Sequence, residues 1–344
     1  MNDHYFFVTS TESVYDRVLP LIEEKAKTGK VYIYTITEDL TQFFKTYTSY
    51  PTVKLTFDAS LVSRRAWYKL YSSLKKFKRS RRCWSVLEGN NIYFFTDGNY
   101  IALYALIQSL AKKNQVYYCN SGKYDTGRIR TGIISKLESK IVKSLLGIDT
   151  FMAGDGNLPY PHLARSYFEK NSIVSVPHGK INSNLRENLA QHIYEKIIEL
   201  KGKEVLFIEE PQDIIERGRI DDAELSASSD MLYDMLNKHW DKIVVKEHQK
   251  KFDGYGKMKT FDTVPNFIPA EFILRHPWKL VIGIESTSLS SATHFSNAEV
   301  ISLIDMFCYE DEEVYENLKK FLTKESNGKI LFPKSIAQLE EMLE

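Results

Sequence analysis

Lys246, His248, Ser286 and Thr287 are the residues whose types and spacing could bind an anion. Lys246 and His248 follow one short apolar run, and Ser286 and Thr287 follow another. In an open parallel sheet, the carboxyl ends of strands and the N-termini of the helices that follow them share one edge. A cation, an imidazole, hydroxyls and helix N–H groups at this edge could together bind a phosphate. We therefore predict a nucleotide phosphate site there.

The elements that would position these residues alternate between apolar runs and helical patterns. The strands predicted in the first half are His4–Ser10, Val31–Ile36, Val53–Phe57, Ile92–Phe95, Val116–Cys119, Asp149–Ala153 and Ile173–Val176. Those predicted in the second half are Glu204–Ile208, Ile243–Val245, Lys279–Ile284 and Val300–Ile304. Strands that alternate with helices favour parallel strands joined by crossover helices, and therefore an α/β fold.

The alternation is interrupted at Pro177-His178-Gly179, and a polar helical pattern follows. We predict an N-terminal domain over residues 1–180 and a linker helix over 181–202. A C-terminal domain that binds the nucleotide would cover residues 203–344. Both domains are expected to be Rossmann-like, because each repeats the strand–helix alternation.

The composition narrows the class of protein. The chain has 344 residues, which is enough for two domains, and its net charge of +1 argues against a general nucleic-acid binder. Its 3 dispersed cysteines predict reduced thiols. No run approaches the ~18 apolar residues of a membrane span, and the first residues lack a signal-peptide pattern. We therefore expect a cytoplasmic protein.

Four short segments of the second half occur in a fixed order, namely Val205–Pro211, Lys246–Gln249, Ile268–Glu271 and Glu285–Thr287. In this order they resemble the motifs of the bacterial sialyltransferases of GT-B fold, most closely glycosyltransferase family 52, the lipooligosaccharide sialyltransferases. The resemblance covers roughly residues 200–305, and the first half is similar only in layout. It implies two Rossmann-like domains that face each other across a cleft, with residues 1–180 as the acceptor-side domain.

The resemblance assigns His248 to the donor phosphate, where it would help the nucleotide to leave, and places Lys246 beside it. A histidine can supply a charge-assisted bond to phosphate near neutral pH. The alternative is a solvated surface turn, in which both side chains would face water. The family has a proline where this chain has Gln249, so the turn lacks the stiffness that proline would give it.

The resemblance also assigns Pro269 and Glu271 to the donor, with the Glu271 carboxylate accepting hydrogen bonds from the ribose hydroxyls. It assigns Ser286 and Thr287 to the phosphate through their hydroxyls and the helix N–H groups. The alternatives are a helix-stabilising acidic residue in a first turn for Glu271 and plain helix capping for Ser286 and Thr287.

The general base is a separate question, because inverting transfer needs a carboxylate to take the proton of the acceptor hydroxyl. Many related enzymes carry an acidic pair after an N-terminal strand, but here the chain reads Asn120-Ser121-Gly122. In the family the acid follows the strand that opens the second domain. By that resemblance Asp213 is the first candidate and Glu210 the second, with Asp155 of the first half in reserve.

The dense basic run Lys75–Arg82 carries six cations in eight residues. Such runs usually mark a solvated face. The alternative is contact with anionic lipid or with a phosphorylated acceptor, where each cation would contribute about 1 kcal/mol.

The predicted function is a metal-independent, inverting sialyltransferase. It would move sialic acid from CMP-sialic acid to a terminal sugar, with galactose expected, of a bacterial lipooligosaccharide or capsule glycan. It would need no cofactor, metal or nucleic acid. A GT-B transferase of another activated sugar and a non-catalytic nucleotide- or glycan-binding protein stay open. So do a homodimer and peripheral contact with the inner face of the cell membrane.

Overall fold

The computed structural model describes residues 2–9, 11, 14–56, 67–96, 101–120, 173–175, 183–197, 202–210, 232, 234–247, 261–309 and 311–343. The chain divides into two compact units, Met1–Arg186 and Glu187–Glu344. Each unit contains one six-stranded sheet, and all of its paired strands run parallel. The predicted α/β class is therefore confirmed.

The first sheet has the strand order β3-β2-β1-β4-β5-β6. Its strands are β1 (His4–Val8), β2 (Val31–Thr35), β3 (Thr52–Lys54), β4 (Asn91–Thr96), β5 (Gln115–Asn120) and β6 (Ile173–Ser175). The helices among the described residues of this unit are α1 (Leu19–Lys25), which follows a π-helical turn at Val14–Val18, α2 (Glu38–Tyr47), α3 (Trp67–Trp84) and α4 (Ile101–Leu110). The strand predicted at Asp149–Ala153 lies outside the described residues.

The second sheet has the order β12-β11-β10-β7-β8-β9. Its strands are β7 (Val205–Ile208), β8 (Ile243–Lys246), β9 (Asp262–Val264), β10 (Leu280–Gly283), β11 (Glu299–Ser302) and β12 (Ile330–Leu331). Its helices, in the part of the unit that the structure describes, are α5 (Asn184–Ile197), which begins in the first unit, α6 (Thr287–Phe295), α7 (Glu312–Glu325) and α8 (Ile336–Leu343), and residues 234–238 are also helical. Short 3₁₀ turns occur at Trp240–Lys242, Ala270–Phe272 and Leu303–Met306. Among the described helices, none is both long and apolar enough to cross a lipid bilayer.

Both sheets have the same strand order when each is numbered from its own first strand, and this is the 3-2-1-4-5-6 order of the Rossmann fold. The prediction of two Rossmann-like domains is confirmed. In such a sheet the chain leaves in opposite directions from the first and fourth strands, and ligands bind beyond the carboxyl ends of these two. In the second sheet these are β7 and β10, so the switch point lies just after Ile208 and Gly283.

The central strands of the second sheet are apolar because helices cover both faces. Strands β7, β8 and β10 are buried at every position, which is typical of parallel strands. Buried apolar side chains from the strands and from α8 form one core cluster, which includes Val205, Phe207, Val245, Leu280, Ile282, Ile301 and Leu339. The core therefore fixes the strand ends that carry the candidate site.

Gly283 lets α6 pack closely on the end of β10. A Cβ atom at Gly283 would lie 3.3 Å from Leu289 Cδ2 and 3.4 Å from the backbone oxygen of Ile208. Because both neighbours belong to packed elements, a larger side chain would push α6 away from the sheet. The small residue thus holds the start of α6 at the switch point.

The basic run Lys75–Arg82 lies within α3. Phe77 is fully buried on the inner side of the helix, whereas the neighbouring cations are largely exposed. Trp84, at the end of α3, packs edge-on against Tyr34 at 4.5 Å between ring centroids and also contacts Phe7. The exposed face of α3 is therefore positively charged, and its opposite face is packed against the rest of the unit through Phe77 and Trp84.

Candidate functional site

The register of the second sheet brings several predicted site residues to one edge. Ile208 pairs with Lys246, and Phe207 pairs with Ile282. The residues that follow these strands, including Glu210 and Ser286, therefore lie together at the carboxyl edge, on either side of the switch point. The sequence-based prediction that these segments share one edge is confirmed.

Ser286 is the N-cap of α6. Its backbone is extended (φ −64°, ψ 133°), and its Oγ accepts a hydrogen bond from the Ser288 N–H at 3.3 Å. Its carbonyl oxygen accepts a hydrogen bond from the Leu289 N–H at 3.0 Å. Thr287 is the first residue of the helix, and the side chains of Ser286 and Thr287 are partly exposed. The capping role is thus present, and a cap at this edge also directs the positive end of the helix dipole outwards.

Lys246 is buried, with 5% of its surface exposed. Its Nζ donates hydrogen bonds to the carbonyl oxygens of Glu247 and, at 3.4 Å, of Asn266. The interpretation of Lys246 as a solvated surface charge is therefore wrong. A buried ammonium needs polar partners to remain charged, and these carbonyls tie the end of β8 to the segment after β9.

Glu271 lies in the 3₁₀ turn Ala270–Phe272 and is 5% exposed. The backbone of Pro269 precedes this turn, and its carbonyl oxygen accepts a hydrogen bond from the Phe272 N–H at 3.1 Å. Helix α6 packs against the turn. The short helix predicted after Pro269 is therefore a single 3₁₀ turn, and Glu271 lies in this turn as a buried carboxyl group.

Glu210 joins the two strands of the switch point. Its Oε1 accepts hydrogen bonds from the N–H groups of Ile284 at 3.1 Å and of Glu285 at 3.0 Å. Glu210 and Glu285 are each only 7% exposed. Burial, and then the charge of Glu285, raise the pKa of Glu210 to about 8, although the N–H groups of residues 284–286 act in the opposite direction.

Ser302 holds the same peptide from the other side. Its Oγ is buried and donates a hydrogen bond to the carbonyl oxygen of Ile284 at 2.5 Å. The Ile304 N–H donates to Ser302 Oγ at 3.4 Å. Glu210 and Ser302 therefore fix the Ile284–Glu285 peptide directly before the cap of α6. Neither Ser302 nor Glu285 was predicted, although each ends or follows an apolar strand.

Three predicted residues lie outside the described part of the chain: His248, Asp213 and Asp155. Their assignments stay predictions. Asn120 is the last residue of β5. Within the described ranges, no group of three or more His, Cys, Asp or Glu side chains is arranged to hold a metal ion.

Comparison with known proteins gives a fold and no family. No protein-family model matches the chain, and no curated protein is significantly similar to it. Among solved structures, the glycosyltransferase of kitacinnamycin is similar over 99% of this chain and 89% of its own, with 10% identity and a TM-score of 0.51. The assigned resemblance to glycosyltransferase family 52 therefore stays a prediction.

Two further similarities to solved structures have TM-scores below 0.5. The GT-B domain of a Photobacterium damselae sialyltransferase matches 96% of this chain and 100% of its own, with 13% identity and a TM-score of 0.43. A spinosyn forosaminyltransferase matches 100% of this chain and 88% of its own, with 12% identity and a TM-score of 0.49. With the two Rossmann-type sheets, the similarity to the kitacinnamycin glycosyltransferase shows that this chain has the GT-B fold.

Proposed function

We propose that the protein is a glycosyltransferase that binds a nucleotide-sugar donor at the carboxyl edge of its second sheet. The observation that carries this proposal is the position of Lys246 and Ser286 at the carboxyl edge of a Rossmann-type sheet, beside its switch point. Nucleotides bind at this point in open α/β sheets. The GT-B fold, which the chain shares with a glycosyltransferase, supports the same class of reaction.

The donor that we propose is CMP-sialic acid. Its single phosphate would lie at the start of α6, where the Ser286 and Thr287 hydroxyls and the helix N–H groups favour an anion. Glu271 would accept hydrogen bonds from the ribose hydroxyls. His248 would bond a phosphate oxygen and stabilise the charge that develops as CMP departs.

The transfer itself would proceed with inversion in one displacement. A carboxylate, for which Asp213 is the first choice, takes the proton from the acceptor hydroxyl, whose oxygen attacks the anomeric carbon. The bond from that carbon to the phosphate oxygen breaks, and CMP leaves with the electron pair. The proposed acceptor is a terminal galactose of a bacterial surface glycan or glycolipid.

A second candidate function is a non-catalytic protein that binds a nucleotide or a glycan. The observation in its favour is Asn120, an amide at the end of β5, where the resemblance to GT-B sialyltransferases would lead us to expect acidic residues. An amide cannot take a proton near neutral pH.

A panel of nucleotides tests the donor. We expect CMP to raise the melting temperature more than UMP, UDP, GDP or ADP at equal concentration, because ligands that bind only the folded state stabilise it. Larger shifts with a diphosphate would instead support a transferase of another activated sugar. Turnover of CMP-sialic acid then separates an enzyme from a binding protein.

Glu271→Gln should weaken CMP binding by about tenfold. The charge-assisted hydrogen bonds from the ribose hydroxyls contribute roughly 1.5–3 kcal/mol each, and an amide of the same shape retains only part of that energy. Isothermal titration of both proteins measures the change.

The matched control for Glu271→Gln is a ligand that lacks the ribose hydroxyls. A 2′,3′-dideoxycytidine monophosphate should bind the wild-type and variant proteins with nearly equal affinity. An equal loss for both ligands would show that Glu271 acts on the fold of its turn and not on the ribose.

Chelation tests the expected metal independence. Transfer should survive excess EDTA, because the proposed site neutralises the departing nucleotide with an imidazole, hydroxyls and a helix terminus. Loss of transfer that Mg²⁺ or Mn²⁺ restores would contradict the proposed site.

Charge reversal on α3 tests whether the basic face meets anionic lipid. Lys75→Glu, Lys76→Glu and Lys78→Glu together should weaken binding to phosphatidylglycerol vesicles by more than about tenfold at low salt. The difference should fade as ionic strength rises, because salt screens exposed charges. Vesicle sedimentation measures both effects.

The control is a second triple variant that has the same change in net charge but is altered on a different exposed surface. Lys320, Lys324 and Lys329 are exposed in the second unit, and their reversal to Glu should leave vesicle binding unchanged. If both triple variants bind like the wild type at low salt, the face of α3 is only a solvated surface.

A further inference from the structure

We propose that Glu210 is a positioning residue that fixes the turn Ile284–Thr287, on which the donor phosphate would bind, and makes donor binding fall in alkaline solution. This inference rests on the proposed function, because the turn is part of the same site. It gives Glu210 a role other than that of the proton acceptor predicted from the sequence.

The contacts of Glu210 support a positioning role. One carboxyl oxygen accepts two backbone N–H groups of the neighbouring loop, at 3.1 Å from Ile284 and 3.0 Å from Glu285. These are the last two residues before the cap of α6. Ser302 binds the Ile284 carbonyl oxygen from the opposite side. Glu210 thus fixes the position of a loop that lies 74 residues away in sequence. Ser286 and Thr287 are the next residues of that loop along the chain, so their positions are fixed as well.

The depth of Glu210 makes it unsuited to exchange a proton with an acceptor sugar. Its side chain is enclosed, and the oxygen described above already accepts two hydrogen bonds. A general base must reach the hydroxyl proton that it removes, directly or through one water. Glu210 therefore acts through the turn that it holds and not on the reacting atoms.

The charges around Glu210 determine its pH dependence. Glu285 is buried beside it, so ionisation of both carboxyl groups is unfavourable. The pKa of Glu210 is raised to about 8, first by burial and then by Glu285. Other charged residues of the described chain follow strands of this sheet, namely Lys246, which donates hydrogen bonds to backbone carbonyls, Glu209, Glu247 and Asp305, which pairs with Lys319. Glu271 lies in a turn that packs against α6.

Ionisation of Glu210 would then place a further negative charge behind the phosphate-binding turn. Near neutral pH the carboxyl group is mostly protonated, and above about pH 8 it is mostly ionised. Like charges repel strongly where water is excluded, so an anionic donor should bind less well in alkaline solution. A glutamine at this position can accept the same two N–H groups and never ionises.

The same shift affects folding, with a definite sign. The folded pKa of about 8 lies above the ordinary value of 4.5, so the folded protein binds more protons than the unfolded one between these values. The contribution of Glu210 to the free energy of unfolding is fully present below about pH 4.5 and is lost as the pH rises to about 8. Glu210→Gln should therefore melt at a higher temperature than the wild type above pH 8, and the gap should close towards pH 4.5.

The experiment measures CMP affinity of the full chain from pH 7.5 to 9.5 by isothermal titration, for wild type and Glu210→Gln. The CMP phosphate has a second pKa near 6 and stays doubly ionised over this range. A histidine of ordinary pKa stays neutral over the same range. The wild type should lose about tenfold in affinity, and the variant should lose much less. Glu341→Gln, an exposed residue on α8, should follow the wild type.

Hydrogen exchange tests the positioning role without any ligand. Peptides that cover residues 284–287 should exchange faster in Glu210→Ala than in the wild type, and Glu210→Gln should restore their protection. Equal exchange of these peptides in all three proteins would overturn the positioning role. Parallel loss of CMP affinity with pH in wild type and Glu210→Gln would overturn the pH dependence.

These results separate the two proposals. A wild-type protein that binds no CMP at any pH would contradict the proposed donor, and exchange and melting would still decide the role of Glu210. A Glu210→Ala chain that does not fold would support the structural bond to residues 284–286. The Glu210→Gln measurements then decide the pH dependence.

Discussion

His248→Ala is expected to lower turnover by about 10²-fold or more and to leave the protein folded. His248 follows Lys246, the last residue of β8, and this strand end lies beside the switch point. Loss of one preorganised group that stabilises developing charge typically costs this much. Initial rates at saturating CMP-sialic acid measure turnover, and melting temperature checks the fold.

The control for this variant is His239→Ala. His239 lies just before the 3₁₀ turn that leads into β8, and so at the opposite, amino edge of the sheet. It should keep wild-type turnover. Near-normal turnover of a folded His248→Ala protein would remove His248 from the proposed site.

Asp213→Asn is expected to keep CMP affinity and to lose most transfer. A general base contributes about 10²–10⁴-fold to the rate, and binding of the donor does not need it. Single-turnover transfer and titration with CMP separate the two effects.

Asp155→Asn and Glu210→Gln complete the test of the base. If Asp213→Asn and Glu210→Gln both transfer at the wild-type rate while Asp155→Asn is inactive, the base lies in the first domain. The assignment of Asp213 would then be wrong.

The central strands were predictable because each is a continuous apolar run. Strands β7, β8 and β10 are covered on both faces, so burial imposes an apolar residue at nearly every position. The edge strands β9 and β12 were missed, since they have only three and two residues and each carries an exposed side chain. Strands this short contain no apolar run and leave little signal in sequence, whereas the edge strands β3 and β6 of the first sheet were predicted from Val53–Phe57 and Ile173–Val176.

Helix α3 shows a related limit of sequence reading. The leucine and aromatic residues of Leu61–Phe77 follow a helical pattern, which predicts a helix over that range, but the helix continues to Trp84. Lysine and arginine favour helix almost as well as leucine, so a basic run does not mark a helix end. In the structure, Trp84 packs on Tyr34 and Phe7 of the sheet and so fixes the C-terminal end of α3.

The site was predictable in its location and not in its contacts. Strand ends of a parallel sheet share an edge whatever the strand order, which is why Lys246 and Ser286 could be assigned together. The hydrogen bond from the Ile284 N–H to Glu210 forms only because β7 and β10 are neighbours in the sheet. The strand order cannot be read from the sequence. Burial of Glu210 and Lys246 likewise depends on elements that come from distant parts of the chain.

The most direct test of the proposed function is transfer from CMP-sialic acid to a galactose-terminated acceptor in metal-free buffer, followed by mass spectrometry and proton NMR. The proposed function predicts a product that carries one added sialic acid, linked with the anomeric configuration opposite to that of the donor. The proposed function would be contradicted if the acceptor stayed unchanged and CMP-sialic acid stayed intact. This holds whether another nucleotide sugar serves as donor or no donor is used at all.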